Sequence, residues 1–188
     1  CFFRSITRLD VVDPEFEEAF ARLLISPAEA DPHLIQTVSQ ILRSVASEGD
    51  AALLQLTNEL DQRDAPTAAS LRVHAEAMEE AVTGIDAKVR SALEQAAERI
   101  RVFHERQLAS SWQFEDGEGN VLGQRISALD RVGVYVPGGR ASYPSSVLMN
   151  AIPAKVAGVA QIVMVAPAPR GHINPVVLAA AALAGVDE

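Results

Sequence analysis

Residues 131–165 constrain this chain more than any other stretch. RVGVYVPGGRASYPSSVLMNAIPAKVAGVAQIVMV reads as strand, glycine loop, helix, strand. Arg131–Val136 is short, apolar and β-branched, which predicts a strand buried on both faces. Pro137-Gly138-Gly139 stops it, and adjacent glycines, having no Cβ, let a backbone turn sharply and come close to a ligand. Ser145 and Ser146 are placed to cap a helix over residues 146–158. Its first amides would face back toward the glycine loop, a geometry that suits an anion such as a pyrophosphate. Gln161–Val165 is a second buried strand, ended by Pro167 and Pro169.

Strand, helix and strand in this order open a nucleotide-binding type βαβ unit. The fold class expected is therefore α/β: a helical N-terminal region, then the first half of an incomplete Rossmann-like βαβα domain. The spacing also departs from that pattern. The fingerprint G-x-G-x-x-G is absent, and no Asp or Glu ends the second strand, where dinucleotide folds place a ribose-binding carboxylate. On residues alone, a plain strand–turn–helix stands beside nucleotide binding as the alternative.

Charge and cysteine usage narrow the partners. Sixteen Lys and Arg against 25 Asp and Glu leave a net charge of −9, which opposes nonspecific binding to nucleic acid or to an anionic membrane. No apolar run reaches the length of a membrane span, and no signal-peptide pattern opens the chain. The single cysteine, Cys1, excludes an internal disulfide, and a reducing cytoplasm fits. Cys1 stands where an initiator Met is expected, which points to a clipped or partial sequence, with a mature lipoprotein as the alternative.

Before residue 130 the pattern is helical and charged. Asp13-Pro14 and Asp31-Pro32 are helix starts, and Asp50 caps a third helix carrying Leu53, Leu56 and Leu60. Leu71–Val73 is a brief strand candidate, followed by a helix over about 75–82. Val89, Leu93, Ala96, Ile100 and Phe103 step by four and three, one seam of a long helix over about 87–108. Ser111–Glu115 and Val121–Ser127 alternate around Asp116-Gly-Glu-Gly-Asn120, a hairpin near 111–127. The composition shifts at about Asp130, so the domains expected are 1–130, mostly helical, and 131–188, the start of a nucleotide-binding type domain. The chain ends at Asp187-Glu188, where the next strand of a doubly wound sheet is due. Residues 131–188 would then leave a strand edge and an apolar last helix uncovered and self-associate, while 1–130 would stay well behaved.

Tyr135 shares a strand face with Gly133, opposite Val134 and Val136. A buried core tyrosine is one reading of it, and a ligand contact the other. Pro153 falls inside a helical pattern and leaves the Met149 carbonyl without its amide partner, which predicts a kink or a split helix. Arg140 and Lys155 are candidate phosphate contacts, with surface solvation the alternative for Lys155. His33, His74, His104 and His172 lie far apart, without the spacing of a metal-binding helix or loop, so no metal ligand is assigned.

The wording of three segments goes further than their spacing. VGVYVPGGRASYPSSVLMNAIPAKVAGV, VASEGDAALLQLTNELD and AAERIRVFHERQ together resemble the N-terminal half of the histidinol dehydrogenase family, over nearly the whole chain. The resemblance implies oxidation of L-histidinol to L-histidine, through an aldehyde, with two equivalents of NAD+. It also implies that Tyr135 contacts NAD and that Pro137, Gly138 and Gly139 line the same pocket. In the family a Zn2+ holds the substrate and a Glu–His pair does the acid–base work. Those groups belong to a later part of the family's sequence, so the resemblance implies a fragment, itself inactive, of a cytoplasmic homodimer. Leu60 departs from the pattern, since many members carry an aromatic residue before this Asp. Two other classes remain: a non-catalytic nucleotide-binding or interaction module, and another NAD-linked aldehyde oxidoreductase.

Overall fold

The computed structural model describes residues 8–24, 32–138 and 142–188. Cys1, Asp31, Gly139 and Arg140 lie outside the described residues. The chain forms two compact units, Cys1–Gly49 and Asp50–Glu188.

The first unit holds α1 (Phe16–Leu24) and α2 (Pro32–Glu48). Asp13 acts in the turn before α1, where its Oδ1 accepts the Glu15 amide at 3.0 Å and its carbonyl accepts the Phe16 amide. Phe16 and Phe20, one turn apart, stack at 5.4 Å. Leu34, Ile35, Val38 and Leu42 of α2 are all exposed, and neither helix buries a residue. Gly49 ends α2 at a φ of +59°, a left-handed value that costs glycine little.

The second unit runs through α3 (Asp50–Asp61), α4 (Ala75–Gly84), α5 (Ala87–Glu105), β1 (Trp112–Glu115), β2 (Val121–Gln124), β3 (Arg131–Tyr135), α6 (Pro144–Val156), β4 (Gln161–Val165) and α7 (Pro175–Ala184). Asp86 caps α5, accepting the Lys88 and Val89 amides. The candidate strand at Leu71–Val73 does not form: Leu71 ends a short 3-10 helix, Ala68–Leu71, opened by a reciprocal Thr67–Ser70 capping box, and Arg72 and Val73 follow it outside any regular element. The hairpin β1–β2 pairs antiparallel around the five-residue loop. A Cβ at Gly123 would strike the Trp112 carbonyl, so the close pairing needs a glycine there.

β3 and β4 are parallel, in register from Arg131↔Gln161 to Tyr135↔Val165. The crossover helix α6 begins at Pro144, earlier than the serines suggested. Pro144 takes the first helical position, so Ser145 and Ser146 fall inside the first turn, and Tyr143 stands at the cap without a side-chain bond. Pro153 does not split α6, which continues to Val156. Residues 186–188 run along the outer edge of β4, where the Asp187 amide bonds the Ile162 carbonyl at 3.0 Å and the Met164 amide bonds the Glu188 carbonyl at 2.7 Å.

The strands are not buried on both faces. Val134, Val136 and Ile162 point into the core, while Gly133, Tyr135 and Val165 on the other face are exposed. The core lies on one side, where α4 and α6 pack against α7 and α5 packs against α6 and α7. α7 is apolar around its circumference, and Ala179, Ala180 and Ala181 are fully buried. Alanines let the neighbouring helix axes approach closely, which is how one short helix touches three others. The composition shift at about Asp130 falls inside this unit, and helices from both sides of it share one core. α7 is therefore covered by α4 and α5, contrary to the expectation that residues 131–188 would leave it open.

Candidate functional site

Chain direction and strand pairing bring the ends of β3 and β4 together, and two cavities open there. Pro137 and Gly138, just past β3, line a cavity of about 380 Å³ with Arg170, His172 and Asn174. Asn174 caps α7, its Oδ1 accepting the Val176 amide at 2.8 Å. Gly138 has no left-handed φ, and a Cβ on it would meet Pro167 at an ordinary 3.4 Å. The turn at this glycine therefore does not depend on its conformational freedom.

Tyr135 does not line that cavity. Its side chain projects from the open face of the sheet, 66% exposed, into a neighbouring cavity of about 550 Å³. Leu53, Thr57 and Asp61 of α3, together with Arg63, form the opposite wall. Ala166 and Pro167 border both cavities. Of the predicted residues, Pro137 and Gly138 share one cavity, Tyr135 belongs to the adjoining one, and Gly139 lies outside the described residues.

The α3 wall is held by a side-chain bracket. Asn58 donates from Nδ2 to the Ala65 carbonyl at 2.9 Å and accepts the Ala65 amide on Oδ1 at 2.7 Å. Ala65 is buried, and the chain between takes left-handed values at Gln62 (φ +52°) and Asp64 (φ +54°). Residues with a Cβ hold that conformation only when their surroundings impose it. Arg63 Nη2 reaches the Ser70 carbonyl at 3.3 Å, tying the loop to the 3-10 helix. No hydrogen bond or ion pair among the described residues engages the Asp61 carboxylate.

Lys155, a candidate phosphate contact, is engaged elsewhere. Its Nζ donates to Asp187 Oδ2 at 2.7 Å, and the Ile162 amide bonds the same carboxylate at 2.8 Å. Partial burial pushes the Asp187 carboxyl up, but the hydrogen bonds from Lys155 and Ile162 and the lysine charge outweigh it and hold it below the usual carboxylate range. Glu188 meets Arg72 at 3.5 Å and Arg131 at 3.6 Å. Among the described residues, no three His, Cys, Asp or Glu side chains come together as a metal site, and no helix is long and apolar enough to cross a membrane.

Sequence reasoning missed the α3 side of the site, because Asp61 and Tyr135 lie 74 positions apart and nothing local links them. The one signal was the NELD segment, where Leu60 drew attention and Asp61 beside it did not. Arg170 and His172 were also missed as cavity residues.

Comparisons with known proteins identify the family. The sequence profile of the histidinol dehydrogenase family matches residues 25–188. The chain is 52% identical over 180 residues to histidinol dehydrogenase of Psychrobacter arcticus, covering 96% of this chain and 42% of that one. It is 51% identical to that of Nitrosospira multiformis, covering 97% and 42%. The crystal structure of histidinol dehydrogenase from Elizabethkingia anophelis superposes with a TM-score of 0.77 at 28% identity, over 90% of this chain and 39% of that one. The chain thus spans about two-fifths of the length of the relatives it matches. A match over most of its residues, at half identity and in the same fold, means that the chain belongs to the histidinol dehydrogenase family.

Proposed function

We propose that this chain is the cofactor-binding part of an enzyme that oxidises L-histidinol to L-histidine with NAD. The observation that carries the reading is Tyr135, an exposed aromatic ring at the end of β3 beside a cavity of about 550 Å³. An exposed ring on the open face of the sheet offers a stacking surface and a hydroxyl to a planar, polar ligand. Tyr135 would hold one part of the cofactor, and Pro137, Gly138 and Gly139 would pass along it with their backbone. NAD, when bound, supplies the hydride acceptor, and these residues supply placement and exclude water.

Zinc belongs to the same reading, but the described residues hold no ligand group for it, so no step through zinc follows from them. Its ligands, the acid–base pair and the histidinol site are assigned to residues outside this chain. The working enzyme in this reading is a cytoplasmic homodimer. A non-catalytic nucleotide-binding module is the competing reading, and activity separates the two.

The test is a chimaera in which this chain replaces the matching stretch of the Psychrobacter arcticus relative. It should form NADH in the presence of histidinol. Tyr135→Ala in the chimaera should raise the KM for NAD about tenfold, the effect of losing one stacked or hydrogen-bonded contact, with Tm unchanged. A folded chimaera without histidinol-dependent NADH formation overturns the enzymatic reading. A collapsed Tm with unchanged KM makes Tyr135 a structural residue instead.

A further inference from the structure

The end of β4 lacks the carboxylate that dinucleotide folds use to hold a ribose: Val165, Ala166 and Pro167 stand there. The fold brings a carboxylate to the same place from elsewhere. Asp61, the last residue of α3, is half-buried and lines the cavity that Tyr135, Val165 and Pro167 also line. We propose that Asp61 is the ribose-binding carboxylate of this site, accepting hydrogen bonds from the vicinal hydroxyls of a ribonucleotide seated against Tyr135. The proposal rests on the nucleotide reading above and names the residue and the ligand group that make it specific.

Three observations converge on Asp61. An acid at a helix C-terminus faces the negative end of the peptide dipoles, so its position opposes local stability. The next residues break a second local preference, with Gln62 and Asp64 left-handed although neither is glycine. The Asn58 bracket on Ala65 then fixes this disfavoured turn, so the conflict is held in place rather than relaxed. Local rules broken together at the wall of a cavity mark a functional position. The Asp61 carboxylate, with no partner among the described residues, has its acceptor capacity available to a ligand. Arg63, on the same wall, adds a cation for a phosphate joined to that ribose.

The test uses the full chain, with isothermal titration of NAD, of AMP and nicotinamide mononucleotide, and of their 2′-deoxy forms. One of the ribonucleotides should bind about tenfold more tightly than its deoxy form, the effect of one hydrogen bond to a charged acceptor. Asp61→Asn should remove that gap while leaving the deoxy form's affinity as it was. Asp61→Ala should do the same if the asparagine variant fails to fold. A gap that persists in a folded variant, or no gap in the parent, overturns the assignment of Asp61. If NAD still binds in a Tyr135-dependent manner, the proposed function survives that result. If no nucleotide binds the folded parent chain, both fall together.

Discussion

At the scale of single residues, Asn58 shows how one side chain decides the shape of the site. Its amide satisfies both the donor and the acceptor of Ala65, a buried residue whose backbone has no ladder to join. Asn58→Ala would leave both groups without their partner and free the left-handed turn at Gln62 and Asp64. A loss of about 1–3 kcal/mol follows, lowering Tm by several degrees. Asn58→Asp keeps the acceptor but not the donor and should fall between the two. Thermal unfolding of the three proteins checks this, and an alanine variant melting with the parent would show that the bracket carries no stability.

At the scale of elements, the C-terminal residues are tied to β4 by charge as well as by backbone bonds. The Asp187 carboxylate accepts from Lys155 and from the Ile162 amide, and its pKa is held below the ordinary value. The unfolded group titrates near about 3.9. A folded value below that means that the stabilisation is complete above the unfolded pKa and is lost as pH falls through the folded one. Between about pH 5 and pH 3, the Tm of the parent should therefore drop more steeply than that of Asp187→Asn. Parallel acid limbs in the two proteins would remove Asp187 as the source. The Asp116 carboxyl is also held low, first by the Asn120 side chain and then by backbone amides of its turn, in the hairpin loop.

At the scale of the whole molecule, the cover over α7 comes from helices that precede Asp130. Met78 and Ala81 of α4 and Leu93 and Ala97 of α5 join the same buried cluster as Val147, Ile162 and Ala180. A chain ending at Asp130 would keep α4 and α5 but lose α6, α7 and the strands they pack with. This shared core argues against the expectation that residues 1–130 stay well behaved alone. The truncated chain should lack a cooperative thermal transition and bind a hydrophobic dye, whereas the 188-residue chain should melt cooperatively. A sharp transition in the truncated chain would contradict the shared core.

What the sequence determined by itself is local or periodic: the seam of α5, the Asp86 cap, the hairpin around Asp116–Asn120, and the strand–helix–strand of residues 131–165. These follow from neighbours within a turn or a pleat, and residue order alone carries that information. That Tyr135 stands opposite Val134 and Val136 was legible too, from alternation along β3, but its exposure was not, because the strand read as buried on both faces. The tertiary structure decided what stands across from that face. α3 supplies a wall to the cavity beside Tyr135, and Asp61 reaches the place left empty at the end of β4. No periodicity joins residues 61 and 135, since their meeting depends on how α3 and the 3-10 helix lie against the sheet. The division of Pro137 and Gly138 from Tyr135 has the same origin. Pro137 and Gly138 lie past the end of β3, where strand alternation no longer applies, and only the surrounding packing determines which cavity they line.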